Sequence, residues 1–146
     1  MLEKNDVLIL RNKHKVKDIQ PRYLGDWELG RQQALYIKAR ATIPHSFLLE
    51  MNNLFIKYNS LDTWHIKVQS DIPLHEDSVP YNILHYRYNI TYKGDYLSNI
   101  GDKTYLLTEG DSILFRSDIS EHGLDLIEKN PVEIFSIGIF IERDNS

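Results

Sequence analysis

The fold of this protein is indicated most clearly by residues 106–115, which read Leu106-Leu107-Thr108-Glu109-Gly110-Asp111-Ser112-Ile113-Leu114-Phe115. Gly110 can adopt the positive φ that a tight corner requires, and the Asp111 carboxylate can hydrogen-bond the backbone of that turn. After the corner, Ile113 and Phe115 alternate along the chain and are expected to point inward. The stretch therefore predicts a strand, a tight corner and a second strand that packs against a core.

Short runs of the same kind repeat along the rest of the chain. Runs rich in β-branched and aromatic residues occur at 64–69, 82–92, 96–99, 104–107, 112–115, 124–127 and 133–142. Turn-forming Gly, Pro, Asn and Asp residues separate them at 71–73, 93–95, 100–102, 109–111 and 129–131. Short strands at a spacing of about eight to twelve residues are typical of an all-β sandwich or barrel. We therefore expect a mainly antiparallel β fold.

An amphipathic strand is predicted earlier, at 35–43. Apolar residues from Leu35 to Ile43 alternate with Tyr36, Lys38, Arg40 and Thr42. Because successive side chains of a strand point to opposite faces, we expect the first set to be buried and the second to face solvent.

Residues 44–58 fit two structures. Asn52-Asn53 could form the turn of a hairpin, because Asn tolerates positive φ. Apolar residues such as Phe47 and Met51 also recur at helical spacing, and Pro44 suits the first turn of a helix. We favour the hairpin, because two adjacent Asn residues are poor helix formers and both flanks resemble strands.

Length and composition predict a single globular domain. The 146 residues are divided into an N-terminal extension at 1–33 with room for a short helix, a barrel at 34–142 and a tail at 143–146. The absence of Cys excludes a disulfide framework, a zinc finger and a cysteine nucleophile, and it favours the cytoplasm. With a net charge of −4, direct binding of nucleic acid is not expected. No apolar run approaches the roughly 18 residues of a membrane span.

From Ile72 onward the sequence resembles the cupin superfamily. The matching features are Ile72-Pro73-Leu74-His75, the strand at 83–92, the turn at Gly94, the hairpin about Gly101-Asp102-Lys103, the stretch at 106–115, His122 and the stretch at 131–139. The resemblance implies a double-stranded β-helix, or jelly-roll barrel. It does not imply one function, because cupins include isomerases, dioxygenases, storage proteins and sensors.

Within that superfamily, the arrangement is most similar to the N-terminal ligand-binding domain of AraC-type transcription regulators. The resemblance implies a small-molecule effector and a homodimer. Those regulators also carry helix-turn-helix motifs, which nothing after Ile141 could form, so we expect a sensor half without its DNA-binding half. The leading hypothesis is a non-enzymatic ligand-binding or regulatory domain without a cofactor. The candidate ligand-binding residues are Trp64, Tyr86, Tyr88, Phe115 and His122.

The strand at 83–92 presents two different faces. By alternation, His85, Arg87 and Asn89 share one face, while Tyr86 and Tyr88 share the other. An inward tyrosine face would line a ligand cavity, and an outward one would form an interface. A third possibility is an aromatic core face beneath a solvated polar face. The sequence leaves these alternatives open.

A metal-dependent cupin enzyme, of oxygenase or isomerase type, is the alternative hypothesis. Cupin enzymes hold a metal on two His one residue apart, a Glu and a later His. This chain offers His75, Asp77 and His122, and it lacks the second His of the first motif. These three residues match the 2-His-1-carboxylate set that binds Fe(II), so Fe or another divalent metal would be the cofactor. The competing interpretation is that 75–78 form a solvated loop between Pro73 and Pro80.

A third hypothesis is a protein-binding module of inhibitor or immunity type. Such a protein would account for the mild acidity and the nine Tyr residues through an exposed binding surface, without any pocket.

Overall fold

Strands make up about half of the computed structural model, which describes residues 2–30, 35–55 and 57–143. Across these ranges there are eleven strands and one helix. They are β1 (Val7–Leu10), β2 (Glu28–Leu29), β3 (Tyr36–Arg40), α1 (His45–Leu54), β4 (Ser60–Val68), β5 (Ile72–His75), β6 (Ile83–Lys93), β7 (Tyr96–Ile100), β8 (Lys103–Leu107), β9 (Ser112–Arg116), β10 (His122–Leu126) and β11 (Val132–Glu142).

The strands form two antiparallel sheets within the described residues. The larger sheet has the order β1-β9-β6-β11-β4-β3-β2, and the smaller has the order β5-β10-β7-β8. One apolar cluster packs between the sheets and includes Ile100, Leu107, Ile113, Phe115 and Ile134. The predicted mainly β, jelly-roll architecture is confirmed.

The corner at 106–115 has the predicted geometry. Gly110 has a φ of +87° between β8 and β9. The Asp111 carboxylate accepts hydrogen bonds from the Thr108 N–H at 3.0 Å and from the Asn12 N–H at 2.7 Å. Asp111 therefore stabilises its own turn and also attaches the N-terminal segment to it.

Residues 45–54 form helix α1, so the preference for a hairpin was wrong. Phe47 and Met51 are one helical turn apart, and both are completely buried against the outer face of the larger sheet. Asn52 and Asn53 lie in the last turn, where they are exposed. Their poor helix propensity costs at most about 0.7 kcal/mol each, less than the burial of one aromatic side chain contributes.

The N-terminal extension is built from strands where it is described. Residues 2–30 contain β1 and β2 and no helix, so the short helix expected there is not found. β1 pairs with β9 at the edge of the larger sheet, and it is thus an integral part of the barrel. The proposed boundary at 33/34 and residues 144–146 of the tail lie outside the described residues. In the described part of the chain, no helix is long and apolar enough to cross a membrane.

Candidate metal and ligand site

A cavity of about 360 Å³ lies between the two sheets. β3, β4, β6 and β11 supply one wall, while β5, β10 and residues 77–79 supply the opposite one. The alternation of side chains along β6 determines which of them point into the cavity. His85, Arg87 and Asn89 point into it, whereas Tyr86 and Tyr88 point to the outer face of the sheet.

His75, Asp77 and His122 meet on the wall opposite β6. Each residue has a potential ligand atom, a ring nitrogen or a carboxylate oxygen, and these three atoms lie within 4.8 Å of one another. The Asp77 carboxylate lies 3.7 Å from His75 Nε2 and 3.3 Å from His122 Nε2. His75 and His122 are direct partners in the β5–β10 ladder, which brings together two residues far apart in the sequence.

Both imidazoles are oriented by backbone carbonyls. The Nδ1 atom of His75 lies 2.9 Å from the Pro73 carbonyl oxygen, and that of His122 lies 2.9 Å from the Ser120 carbonyl oxygen. Because a carbonyl only accepts, each Nδ1 carries a proton and donates it, and each Nε2 is turned toward the Asp77 carboxylate. Such outer hydrogen bonds orient the histidine ligands of metals.

Asp77 stays ionised at this position. Burial by itself would raise the pKa of its carboxyl group, but the hydrogen bond and charge of His122, with Arg87 and His75, hold that pKa well below its usual range. The Asp77 N–H donates to the Ser117 carbonyl at 2.9 Å, which anchors the loop. Two imidazoles and one carboxylate, with an open cavity beside them, therefore form a donor set that fits a divalent metal such as Fe(II), Mn(II) or Zn(II).

A charged pair lies on the β6 wall. The Arg87 guanidinium donates to Asp62 through Nη1 at 2.5 Å and through Nη2 at 3.2 Å. The Gly138 N–H also donates to Asp62, at 3.0 Å. Burial would raise the pKa of Asp62, yet the charge and hydrogen bonds of Arg87 lower it. Asp62 therefore stays ionised within the cavity.

Lys38 also lines the cavity, although the alternation at 35–43 predicts that it faces solvent. Its Nζ lies 4.1 Å from the centroid of the Trp64 ring, a cation–π contact. The prediction failed because the inward face of β3 borders an open cavity instead of a packed core, so a polar side chain can occupy it. The nearest carboxylate, Glu28, is exposed and 3.8 Å away.

Three of the five candidate ligand-binding residues line the cavity and two do not. Trp64, Phe115 and His122 are lining residues. Tyr86 and Tyr88 are placed elsewhere, and their assignment to this pocket is corrected. Tyr88 is completely buried on the outer face of the larger sheet, where its hydroxyl bonds His14 Nε2 at 2.7 Å. Burial there raises the pKa of Tyr88 to about 12.

Sequence reasoning missed Asp62 and left the polar face of β6 unassigned. The signal was present in the alternation of His85, Arg87 and Asn89, but alternation alone does not say which face of a strand borders a cavity. The decision depended on α1, which covers the tyrosine face through Phe47 and Met51.

Solved structures with this architecture were found at low sequence identity. KdgF from Halomonas sp. has a TM-score of 0.53 and 11% identity over 78% of this chain and 86% of its own. The fold is that of a cupin. Salicylate 1,2-dioxygenase from Pseudaminobacter salicylatoxidans has a TM-score of 0.45 and 10% identity, covering 54% of this chain and 21% of its own. A Cupin_2 domain of an XRE family transcriptional regulator from Enterobacter cloacae has a TM-score of 0.44 and 18% identity, covering 53% of this chain and 79% of its own.

No protein-family model matches the sequence, and neither does any curated protein. At the identities above, the likeness extends to the fold and not to activity.

Proposed function

We propose that this chain is a metal-dependent cupin domain that binds a small molecule. His75, Asp77 and His122 would hold a divalent metal, and the ligand would occupy the adjacent cavity. The observation that carries the proposal is the convergence of two oriented imidazoles and an ionised carboxylate at the wall of a 360 Å³ cavity. Three protein ligands leave coordination positions open for a bound molecule.

The metal would act as a Lewis acid on an oxygen atom of the ligand, and Fe(II) would in addition permit oxygenase chemistry. The protein groups have their own tasks. Trp64 and Phe115 bury apolar surface of the ligand, and Lys38 and Arg87 supply positive charge. Asp77 needs no deprotonation before it binds a cation, because its pKa is already low.

The experiment is metal analysis of the purified protein after anaerobic loading with Fe(II), Mn(II) or Zn(II). We expect wild type to retain a stoichiometric amount of one of these ions after desalting. His75→Ala and His122→Ala should each lose it. His45→Ala is the matched control, because His45 is exposed on α1 and lies outside the cluster. An ion retained by both cluster variants, or none in wild type, would refute the proposal.

A second candidate is a regulatory sensor, as the AraC-type resemblance implies. In that case the cavity would bind a small effector without a metal, and the chain would work in the cytoplasm as a homodimer. The mixed wall of Trp64, Phe115, Lys38 and Arg87 supports it, since a wall of apolar and charged side chains suits an amphipathic effector. A ligand that raises the melting temperature equally with and without EDTA would favour the sensor over the metal-dependent protein.

A further inference from the structure

His85 takes no part in the proposed metal site. It lies in β6 and lines the cavity, with only 4% of its surface exposed. Its ring stacks on Phe140, with centroids 4.3 Å apart and planes 17° from parallel. In the described part of the chain, neither ring nitrogen has a hydrogen-bond partner.

Such a side chain is costly in a folded protein. Leaving one buried polar group without a partner destabilises a protein by about 1–3 kcal/mol. A Phe at position 85 would keep the stacking on Phe140 and avoid that cost. The unpaired nitrogens therefore point to a partner that enters the cavity from outside the chain.

His85 is tied to the candidate metal ligands through the backbone. Its carbonyl accepts from the Ser117 N–H at 3.0 Å, and the Ser117 carbonyl accepts from the Asp77 N–H at 2.9 Å. Ser117 thus links the β6 wall at His85 to the loop that carries Asp77, so His85 and Asp77 lie at the same end of the cavity.

The charges of the cavity indicate which molecules it favours. Its lining contains two positively charged side chains, Lys38 and Arg87, and two negatively charged ones, Asp62 and Asp77. These balance, so a bound divalent cation would leave the cavity positive, although Glu28 beside Lys38 offsets part of that charge. A carboxylate suits both the open metal positions and this positive field.

The His85 imidazole places a second requirement on the bound molecule. Burial lowers the pKa of His85 to about 4, so the ring is neutral at pH 7, with one nitrogen that donates and one that accepts. A hydroxyl group can satisfy either nitrogen, whereas a carboxylate can only accept. We infer that the cavity binds a 2-hydroxycarboxylate, whose carboxylate reaches the metal and whose hydroxyl hydrogen-bonds His85. This inference rests on the proposed metal site.

The test uses Mn(II)-loaded protein and pairs of acids that differ only in the hydroxyl group, namely lactate and propionate, malate and succinate, and mandelate and phenylacetate. Affinities are measured by calorimetry. We expect wild type to bind the hydroxylated member of at least one pair about tenfold more tightly, as one additional hydrogen bond would allow. Equal affinity within every pair would overturn the inference.

Two variants connect that preference to His85. His85→Phe should remove the preference while binding Mn(II) normally, and it should melt no lower than wild type because it removes unpaired polar atoms. His85→Gln, which can still donate and accept, should keep part of the preference. His45→Phe, on the exposed helix surface, should behave as wild type. A preference that persists in a folded His85→Phe variant would contradict the assignment.

The metal measurement separates the two proposals. If wild type takes up no Mn(II), the proposed metal site fails and the inference fails with it. If Mn(II) binds and no hydroxylated acid is preferred, the inference alone fails.

Discussion

Gly138 lies directly opposite Arg87 in the ladder between β6 and β11, and its missing side chain makes room for the Arg87–Asp62 pair. A Cβ atom at position 138 would lie 2.6 Å from Arg87 Nη1 and would also clash with the Asp62 carboxylate. The Gly138 N–H donates to that same carboxylate at 3.0 Å. One residue without a side chain thus allows two partly buried charges to meet on the cavity wall.

Gly138→Ala should therefore destabilise the protein. The methyl group would force Arg87 and Asp62 apart, and overpacking of this kind typically costs about 1–3 kcal/mol. Urea unfolding at pH 7 measures this loss. Gly25→Ala is the matched control, because a Cβ there would meet nothing within 4 Å, and it should stay within about 0.5 kcal/mol of wild type. Equal stability of the two variants would argue against the steric role of Gly138.

Removal of metal should lower the melting temperature of wild type. A ligand that binds only the folded state stabilises it, by about 2.7 kcal/mol when its concentration is a hundred times the dissociation constant. Asp77→Asn should show little of this effect, because it loses the charged member of the ligand set. The measurement is a thermal scan with Mn(II) and then with EDTA. Stabilisation of Asp77→Asn by Mn(II) as large as that of wild type would place the ion elsewhere.

Acid should destabilise the protein partly through His14. Burial lowers the pKa of His14 to about 4 from an ordinary 6.5, with Lys13 acting in the same direction and Glu50 against it. The unfolded chain thus binds a proton before the folded one does. The stability that the neutral ring contributes is complete above about pH 6.5 and is lost as the pH falls toward 4.

His14→Gln tests that pH dependence. The amide can still hydrogen-bond the Tyr88 hydroxyl, which lies 2.7 Å from His14 Nε2. Between pH 7 and 4.5, the variant should lose less stability than wild type, by on the order of 2 kcal/mol. Urea unfolding of wild type and of the variant at pH 7 and at pH 4.5 measures the stability that each protein loses. Parallel losses would show that His14 does not contribute to the acid sensitivity.

The stability lost when a side chain of helix α1 is shortened should depend strongly on which face of the helix carries that side chain. Phe47→Ala removes a completely buried ring that packs against the ring of Phe135, and it should cost about 3–5 kcal/mol. Leu49→Ala, on the same helix, changes a side chain that is 51% exposed and should cost far less. The comparison by urea unfolding tests whether α1 is the cover of the outer sheet face. Similar losses would contradict that packing.

Most of the strands could be predicted from the chain itself. Residues 82–92 and 133–142 were expected as strands and occur as β6 (Ile83–Lys93) and β11 (Val132–Glu142). Gly110 and Asp111 formed the predicted corner because turns depend on local φ preferences and short side-chain hydrogen bonds. Helix α1 was missed because its stability comes from tertiary burial of Phe47 and Met51, which outweighs the low propensity of Asn52 and Asn53.

The sequence by itself determined the strand pattern, the turns and the residue types available for a metal, including His75, Asp77 and His122. Their convergence was decided by the tertiary structure, because the pairing of β5 with β10 places His75 opposite His122. The tertiary structure also decided that His85 and Arg87, rather than Tyr86 and Tyr88, face the cavity. Alternation divides a strand into two faces, but only the layers packed above and below it determine which face is covered by a helix and which borders an open space.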